Sequence, residues 1–214
     1  TFGPPSAPRF QAMMKLLFSP ASPYARKVTI TAAVKGVADQ IETVPTDTFP
    51  LVNEDLRREN PLSKIPVLIT EDGARIFDSH VICEYLDTLA PEPRLFPASV
   101  PERFRTLTLG ALADGMLDAA LLLVYEKRYR PEDKWVESWM QRQQAKIDTS
   151  LDWLEKAPPT WSDHPDYGHI TLACALGYLD FRHGGQWRNG HPGLVAWLDK
   201  FAAAVPAFEE TRPS

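Results

Sequence analysis

Only two cysteines, Cys83 and Cys174, occur among the 214 residues, each inside an apolar helical pattern. Two thiols so placed cannot build a disulfide framework or a four-ligand zinc site, and they read as small buried hydrophobes. With no secretory leader visible, a reducing, cytoplasmic setting is expected. The chain also lacks an unbroken apolar run of the roughly 18 residues that cross a bilayer, so no membrane partner is expected. Basic side chains are in deficit, 23 against 28 acidic ones, for a formal charge of −5. Nucleic acid binding needs a basic patch and is not expected either. His80, His164, His183 and His191 show no metal-ligand spacing, and His183-Gly-Gly185 lacks the strand-then-helix frame of a phosphate loop. No metal is expected. An apolar share of 44% and a charged share of 24% exclude a disordered or collagen-like chain. What the chain has in excess is proline: 20 residues, about twice the usual frequency of roughly 5%.

The prolines divide the chain. Residues 1–12, with Pro4, Pro5 and Pro8, read as a tail outside the fold, and Met13 or Met14 is the natural beginning. Lys15-Leu-Leu-Phe-Ser19 is a short apolar run that stops at Pro20, the pattern of a buried strand. Pro23 suits the first turn of a helix to about Gly36, with Val28, Ala32, Ala33 and Val37 facing inward. Ile41–Val44 is a second strand, and a short helix is expected around Leu51–Arg58. Pro66–Thr70 and Ala74–Phe77 flank Glu71-Asp72-Gly73, a hairpin signal. Ser79 opens a helix with Ile82, Tyr85, Leu86 and Leu89 on one face. The order is β-α-β-α-β-β-α over residues 13–90, an α/β unit. Pro91, Pro93 and Pro97 make a linker at 91–98. Residues 99–208 are all-helical by period, with Ile170–Leu179 apolar all round as the central helix and Trp135 and Trp139 turned into the bundle.

Ser22 falls at the N-terminus of the first helix, where free N–H groups and the helix dipole stabilise an anion. Taken alone it reads as an ordinary N-cap. A β-α-β-α-β-β-α unit with a reactive residue at this point is the thioredoxin plan. Ser22-Pro23-Tyr24-Ala25 resembles the Cys-Pro-Tyr-Cys of glutaredoxins with both thiols removed. Disulfide exchange is lost, but a hydroxyl remains that can donate to a bound thiolate. Further on stand Asn60-Pro-Leu-Ser-Lys-Ile-Pro66 and Phe77-Asp78-Ser79, and, in the second half, Ala175-Leu-Gly-Tyr-Leu-Asp-Phe-Arg182. Together these resemble the glutathione S-transferase family, from Met14 to about Phe208.

The resemblance implies a thioredoxin-like N-terminal domain, an all-α C-terminal domain, glutathione as co-substrate and a homodimer. Ser22 matches the active hydroxyl of the serine-type classes, the tau-like and zeta-like ones, with Ser19 a weaker candidate. Pro66 matches a cis-proline that leaves the backbone of Ile65 to pair with the cysteinyl unit. Asp78 and Ser79 match the pair that holds the γ-glutamyl end, although the family usually has Glu where Asp78 stands. Lys64 is placed to meet the glycyl carboxylate. The family caps its core helix with Ser or Thr and an Asp three residues on; Asp166 followed by His169 keeps an acidic N-cap but is expected to lose the reciprocal capping box.

A free cysteine thiol titrates near 8.5, and a tenfold change in its ionisation corresponds to about 1.4 kcal/mol. A hydrogen bond to charged sulfur contributes roughly 1.5–3 kcal/mol and a helix N-terminus about 0.3–1 kcal/mol, enough to ionise bound glutathione substantially at neutral pH. Ser22 is therefore expected to stabilise a thiolate that adds to a small apolar electrophile. Tyr24, Asp114 and Met116 are candidates for the acceptor pocket where the domains meet. Glutathione-dependent isomerase or dehalogenase chemistry, and a non-catalytic binding protein, are the alternative readings.

Overall fold

A computed structural model describes residues 13–48 and 53–213. The expected tail and Leu51 lie outside the described residues. Strands β1 (Met14–Phe18), β2 (Ile41–Pro45), β3 (Val67–Ile69) and β4 (Arg75–Ile76) form one sheet in the order β2-β1-β3-β4. β1 and β2 run parallel, while β3 opposes both β1 and β4. The β3–β4 turn closes with Thr70 N–H donating to the Ala74 carbonyl at 3.0 Å, and Gly73 takes φ 83°, where a side chain would be strained.

Helix α1 (Pro23–Val34) connects β1 to β2 and packs on α3 (Ser79–Thr88), while α2 (Glu54–Glu59) buries Leu56. Val28, Ala32 and Val37 are buried as the period predicts, but Ala33 is exposed. Charged residues are buried instead: Arg26 and Lys27 of α1 and its C-cap Lys35 are all 6% exposed or less. Leu89, expected on the inner face of α3, is 37% exposed, and Cys83 packs there instead. Lys35 explains how the proline-rich connection is held. Its ammonium donates to Asp87 at 2.9 Å and to the carbonyls of Ala90 and Pro93 at 2.7 Å each. Asp87 in turn accepts from the backbone of Leu95 and Phe96.

Beyond that connection the structure is helical: α4 (Val100–Tyr129), α5 (Glu137–Lys156), α6 (Tyr167–His183), α7 (Pro192–Ala204) and the short α8 (Ala207–Glu210). α6 is buried along Tyr167–Leu179 and packs chiefly against α4, and also against α1, so it forms the spine between the two parts. Trp135 and Trp139 are only half-buried. Trp139 lines an open pocket rather than the bundle core. By length and composition α4 is apolar enough to span a bilayer. Its two central acids, Asp114 and Asp118, interrupt the apolar run in the sequence, and both are bonded to α1. α4 here is the shared helix of an interdomain core.

Candidate functional site

The strand register brings the sequence-selected residues to one end of the sheet. Leu17 pairs with Val67 and Leu68 with Ile76, so the end of β1, the start of β3 and the end of β4 are neighbours. Ser22 follows the first, Pro66 precedes the second and Asp78 follows the third. Three short segments far apart in sequence thus open on one surface.

Ser22 is half-buried. A turn closed by its own N–H to the Ser19 carbonyl at 3.0 Å presents it as the N-cap of α1, with Pro23 at the first helical position. Its Oγ accepts from Ala25 N–H at 3.2 Å. Accepting uses a lone pair and leaves the hydroxyl proton to donate outward. The N-cap role and the thiolate-donor role are therefore compatible in one hydroxyl. Ser19 supplies its carbonyl to this turn.

The loop that delivers Pro66 is organised by Asn60, which is 2% exposed. Its Oδ1 accepts from Leu62 N–H at 3.0 Å and its Nδ2 donates to the Lys64 carbonyl at 2.9 Å. This is the physical content of the Asn-Pro-x-x-Lys-Ile-Pro run: the amide clamps both sides of a tight loop so that its exit is held. The Ile65–Pro66 bond is cis, as is the Phe77–Asp78 bond. Lys64 is exposed. Asp78 is the exposed N-cap of α3 and accepts from His80 N–H at 3.1 Å, while Ser79, the first helical residue, is 3% exposed.

The three acceptor-side candidates are placed differently. The Tyr24 hydroxyl donates to Asp118 at 2.5 Å. Burial and then Asp118 push its pKa far above the ordinary phenol value, so it stays protonated. Asp114 is committed to Lys27, and Met116 is 2% exposed within the interdomain core. Sequence reasoning did not find Arg26, Cys174, Tyr178 and Pro213, which surround a recess of about 10 Å³ beside Ser22. Arg26 donates to the Phe208 carbonyl and to Thr211 Oγ1 at 3.3 Å, and its guanidinium lies 4.1 Å from the Phe208 ring centroid. The last residues described are thereby fastened across α1 next to Ser22. Burial pushes the Cys174 thiol up to about 11, which leaves it unreactive at neutral pH. Among the described residues no cluster of His, Cys, Asp and Glu could hold a metal ion.

One expectation is corrected at the start of α6. Asp166 accepts from His169 N–H at 3.1 Å, and Asp166 N–H donates to His169 Nδ1 at 3.2 Å, so the capping box is complete. An imidazole nitrogen can accept a backbone N–H as a carboxylate does. Asp166 also accepts from the Thr106 hydroxyl of α4.

A thioredoxin-like α/β domain that holds a serine at a helix start, a cis-proline and an Asp-Ser helix start on one surface, followed by a helical domain, defines the glutathione-transferase architecture. The comparisons agree with it. Residues 21–89 match the glutathione S-transferase N-terminal domain and residues 137–200 match the C-terminal domain. The GST-like protein YibF of Escherichia coli (strain K12) is 35% identical over 211 residues, covering 94% of this chain and 98% of its own. A glutathione transferase family member from Pseudomonas fluorescens Pf-5, solved with bound glutathione, superposes with a TM-score of 0.89 at 39% identity, covering 94% of this chain and 99% of that one. A glutathione S-transferase from Methylobacillus flagellatus KT, also with glutathione bound, gives 0.85 at 34% identity over 94% and 100%. The chain belongs to the glutathione S-transferase family.

Proposed function

We propose that this chain is a glutathione transferase that ionises the thiol of glutathione beside Ser22 and adds it to a small apolar electrophile. The register that sets Ser22, Ile65–Pro66 and Asp78-Ser79 on one end of the sheet carries this reading. The thiol takes the Ser22 hydroxyl proton as a hydrogen bond and sits against the start of α1, where the helix dipole favours negative charge. Tyr24 does not compete for this role, since its proton is bound to Asp118. The cysteinyl backbone pairs with Ile65 beside the cis bond. The γ-glutamyl carboxylate meets the buried Ser79 at the start of α3, because Asp78 already caps that helix. Exposed Lys64 meets the glycyl carboxylate. The enzyme works as a cytoplasmic homodimer, with the α/β part of one subunit against the helices of the other.

Titration calorimetry with glutathione, followed by product analysis with a panel of aryl and alkyl electrophiles, tests the reading. Binding in the micromolar to millimolar range and consumption of one glutathione per product are expected. No heat at millimolar glutathione would make the chain a non-catalytic relative. Product formed while glutathione is fully recovered would sink conjugation in favour of isomerisation.

A further inference from the structure

A charged cluster lies beneath the candidate site, in the seam between the α/β part and the helices. Lys27 of α1 is 0% exposed, and its ammonium reaches Asp114 of α4 at 2.7 and 2.9 Å and the Tyr167 hydroxyl of α6 at 3.2 Å. Tyr167 completes the triangle by donating to Asp114 Oδ2 at 3.2 Å. Burial disfavours the Lys27 charge, but Asp114 and then Tyr167 more than offset this, and the ammonium is held above its ordinary pKa. The Tyr167 ring then stacks on His80, at 4.9 Å between centroids, and on Phe96, at 4.6 Å. It fits there because position 110 is glycine: a Cβ at that point would stand 2.5 Å from Tyr167 Cε1.

The two ends of this cluster are the two ends of the site. Lys27 is five residues beyond Ser22, about 7.5 Å along the α1 axis. His80 follows Ser79 directly, and its own N–H is capped by Asp78. The cluster therefore gives the helix that faces the thiol and the helix that faces the γ-glutamyl end a link through α4 and α6 near their N-terminal ends, while Thr31 on Cys83 at 3.3 Å and Lys35 on Asp87 at 2.9 Å join them directly farther along. Lys27 is fully buried and Asp114 partly so, and fold stability alone does not call for such a pair, since apolar groups of similar volume often serve as well or better. What the charges add is direction. Three hydrogen bonds at one ammonium, two to Asp114 and one to Tyr167, hold α1 at one rotation and one height relative to α4 and α6, where an apolar contact would allow sliding.

We propose that Lys27, with Asp114 and Tyr167, is a positioning residue that sets the separation between the thiol end and the γ-glutamyl end of the glutathione site. This rests on the proposed glutathione site. The test compares two probes by calorimetry: glutathione, and N-acetylcysteinylglycine, in which an acetyl group replaces the γ-glutamyl unit. Wild type prefers glutathione by the contribution of the α3 end. In Lys27→Met that preference falls about tenfold, because the two ends no longer fit one ligand together. The neutral pair Lys27→Met/Asp114→Leu removes the risk of an uncompensated carboxylate; it retains cooperative unfolding and shows the same fall. A general loosening of the fold would weaken both probes alike and leave their ratio unchanged. An unchanged ratio in the folded pair variant overturns the positioning role while leaving the glutathione site standing. If wild type binds neither probe, the proposed function fails first and this inference falls with it.

Discussion

Replacing Ser22 by alanine removes two interactions that can be read separately. The first is the N-cap bond from Ala25 N–H to Oγ, 3.2 Å long. Its loss costs about 0.5–2 kcal/mol. For a domain of this size, 1 kcal/mol lowers Tm by roughly 2–4 °C, so a fall of a few degrees is expected. The second, on the proposed function, is a bond that the hydroxyl donates to the bound thiolate, which would contribute about 1.5–3 kcal/mol. With about 1.4 kcal/mol for each tenfold change in ionisation, the pKa of the bound glutathione thiol rises by roughly 1–2. The sign follows from which form is stabilised. The hydrogen bond favours the charged sulfur, so wild type keeps the thiol low and alanine releases it upward. Conjugation in the variant should fall roughly 10- to 100-fold at neutral pH and recover as pH rises through the new pKa. Thiolate absorbance of the glutathione complex against pH measures that rise directly, and thermal unfolding measures the cap. If Tm falls while the bound thiol titrates as in wild type, Ser22 is a cap alone and the thiolate assignment is wrong.

Four further outcomes follow from the same geometry. Ser22→Cys should create thiol-transferase activity toward a glutathione mixed disulfide, since a thiol at the start of α1 is poised for exchange; wild-type levels would mean that position 22 does not face the ligand. Gly110→Ala forces a methyl group against the stacked Tyr167 ring and should destabilise by about 1–3 kcal/mol in denaturant unfolding, with an unchanged midpoint refuting the close approach. Although burial opposes it, the bonds that the His169 backbone N–H and the Thr106 hydroxyl donate hold the Asp166 carboxyl below its ordinary range. A depressed carboxyl contributes stability above its unfolded pKa and loses it as pH falls through the folded one. Wild type should therefore lose more Tm than Asp166→Asn between about pH 5 and pH 2, and parallel curves would deny the coupling. Arg26→Met should detach the segment around Phe208 and Thr211 from α1, seen as faster backbone hydrogen exchange at residues 207–212; unchanged protection would show that other contacts hold that segment.

Much of the backbone frame of the candidate site is legible in the sequence because it is built from backbone-dictating residues. Pro23 permits only the first turn of a helix, and an Asp-Gly between two apolar runs permits little but a hairpin. Such residues act locally, so their effect survives in a one-dimensional reading. The capping box at Asp166 escapes such a reading for a chemical reason: the rule is framed by residue name, whereas the backbone N–H requires only an acceptor, and His169 Nδ1 is one. The Lys27 cluster is invisible for a different reason. A lysine on a helix is ordinarily solvated, and its two partners lie 87 and 140 residues away, on elements whose approach no local pattern records.

This division bears on how the site works. The local residues shape each of its three segments: the serine turn, the Asn60 loop and the Asp78 cap. None of them decides how far apart the segments stand. The β1–β3–β4 register sets one spacing, that between the segments carrying Ser22 and Pro66. The spacing from Ser22 to Ser79 is different, because it runs between two helices, α1 and α3, which meet directly through Thr31 Oγ1 on Cys83 Sγ at 3.3 Å and Lys35 on Asp87 at 2.9 Å. Asp114 on α4 and Tyr167 on α6 add a second connection nearer the N-terminal ends of both helices, and both belong to the helical part. On the proposed site, the helical part thereby contributes to the distance at which glutathione's two ends are held. Variation at Asp114 should alter affinity for glutathione even where every residue that touches it is kept.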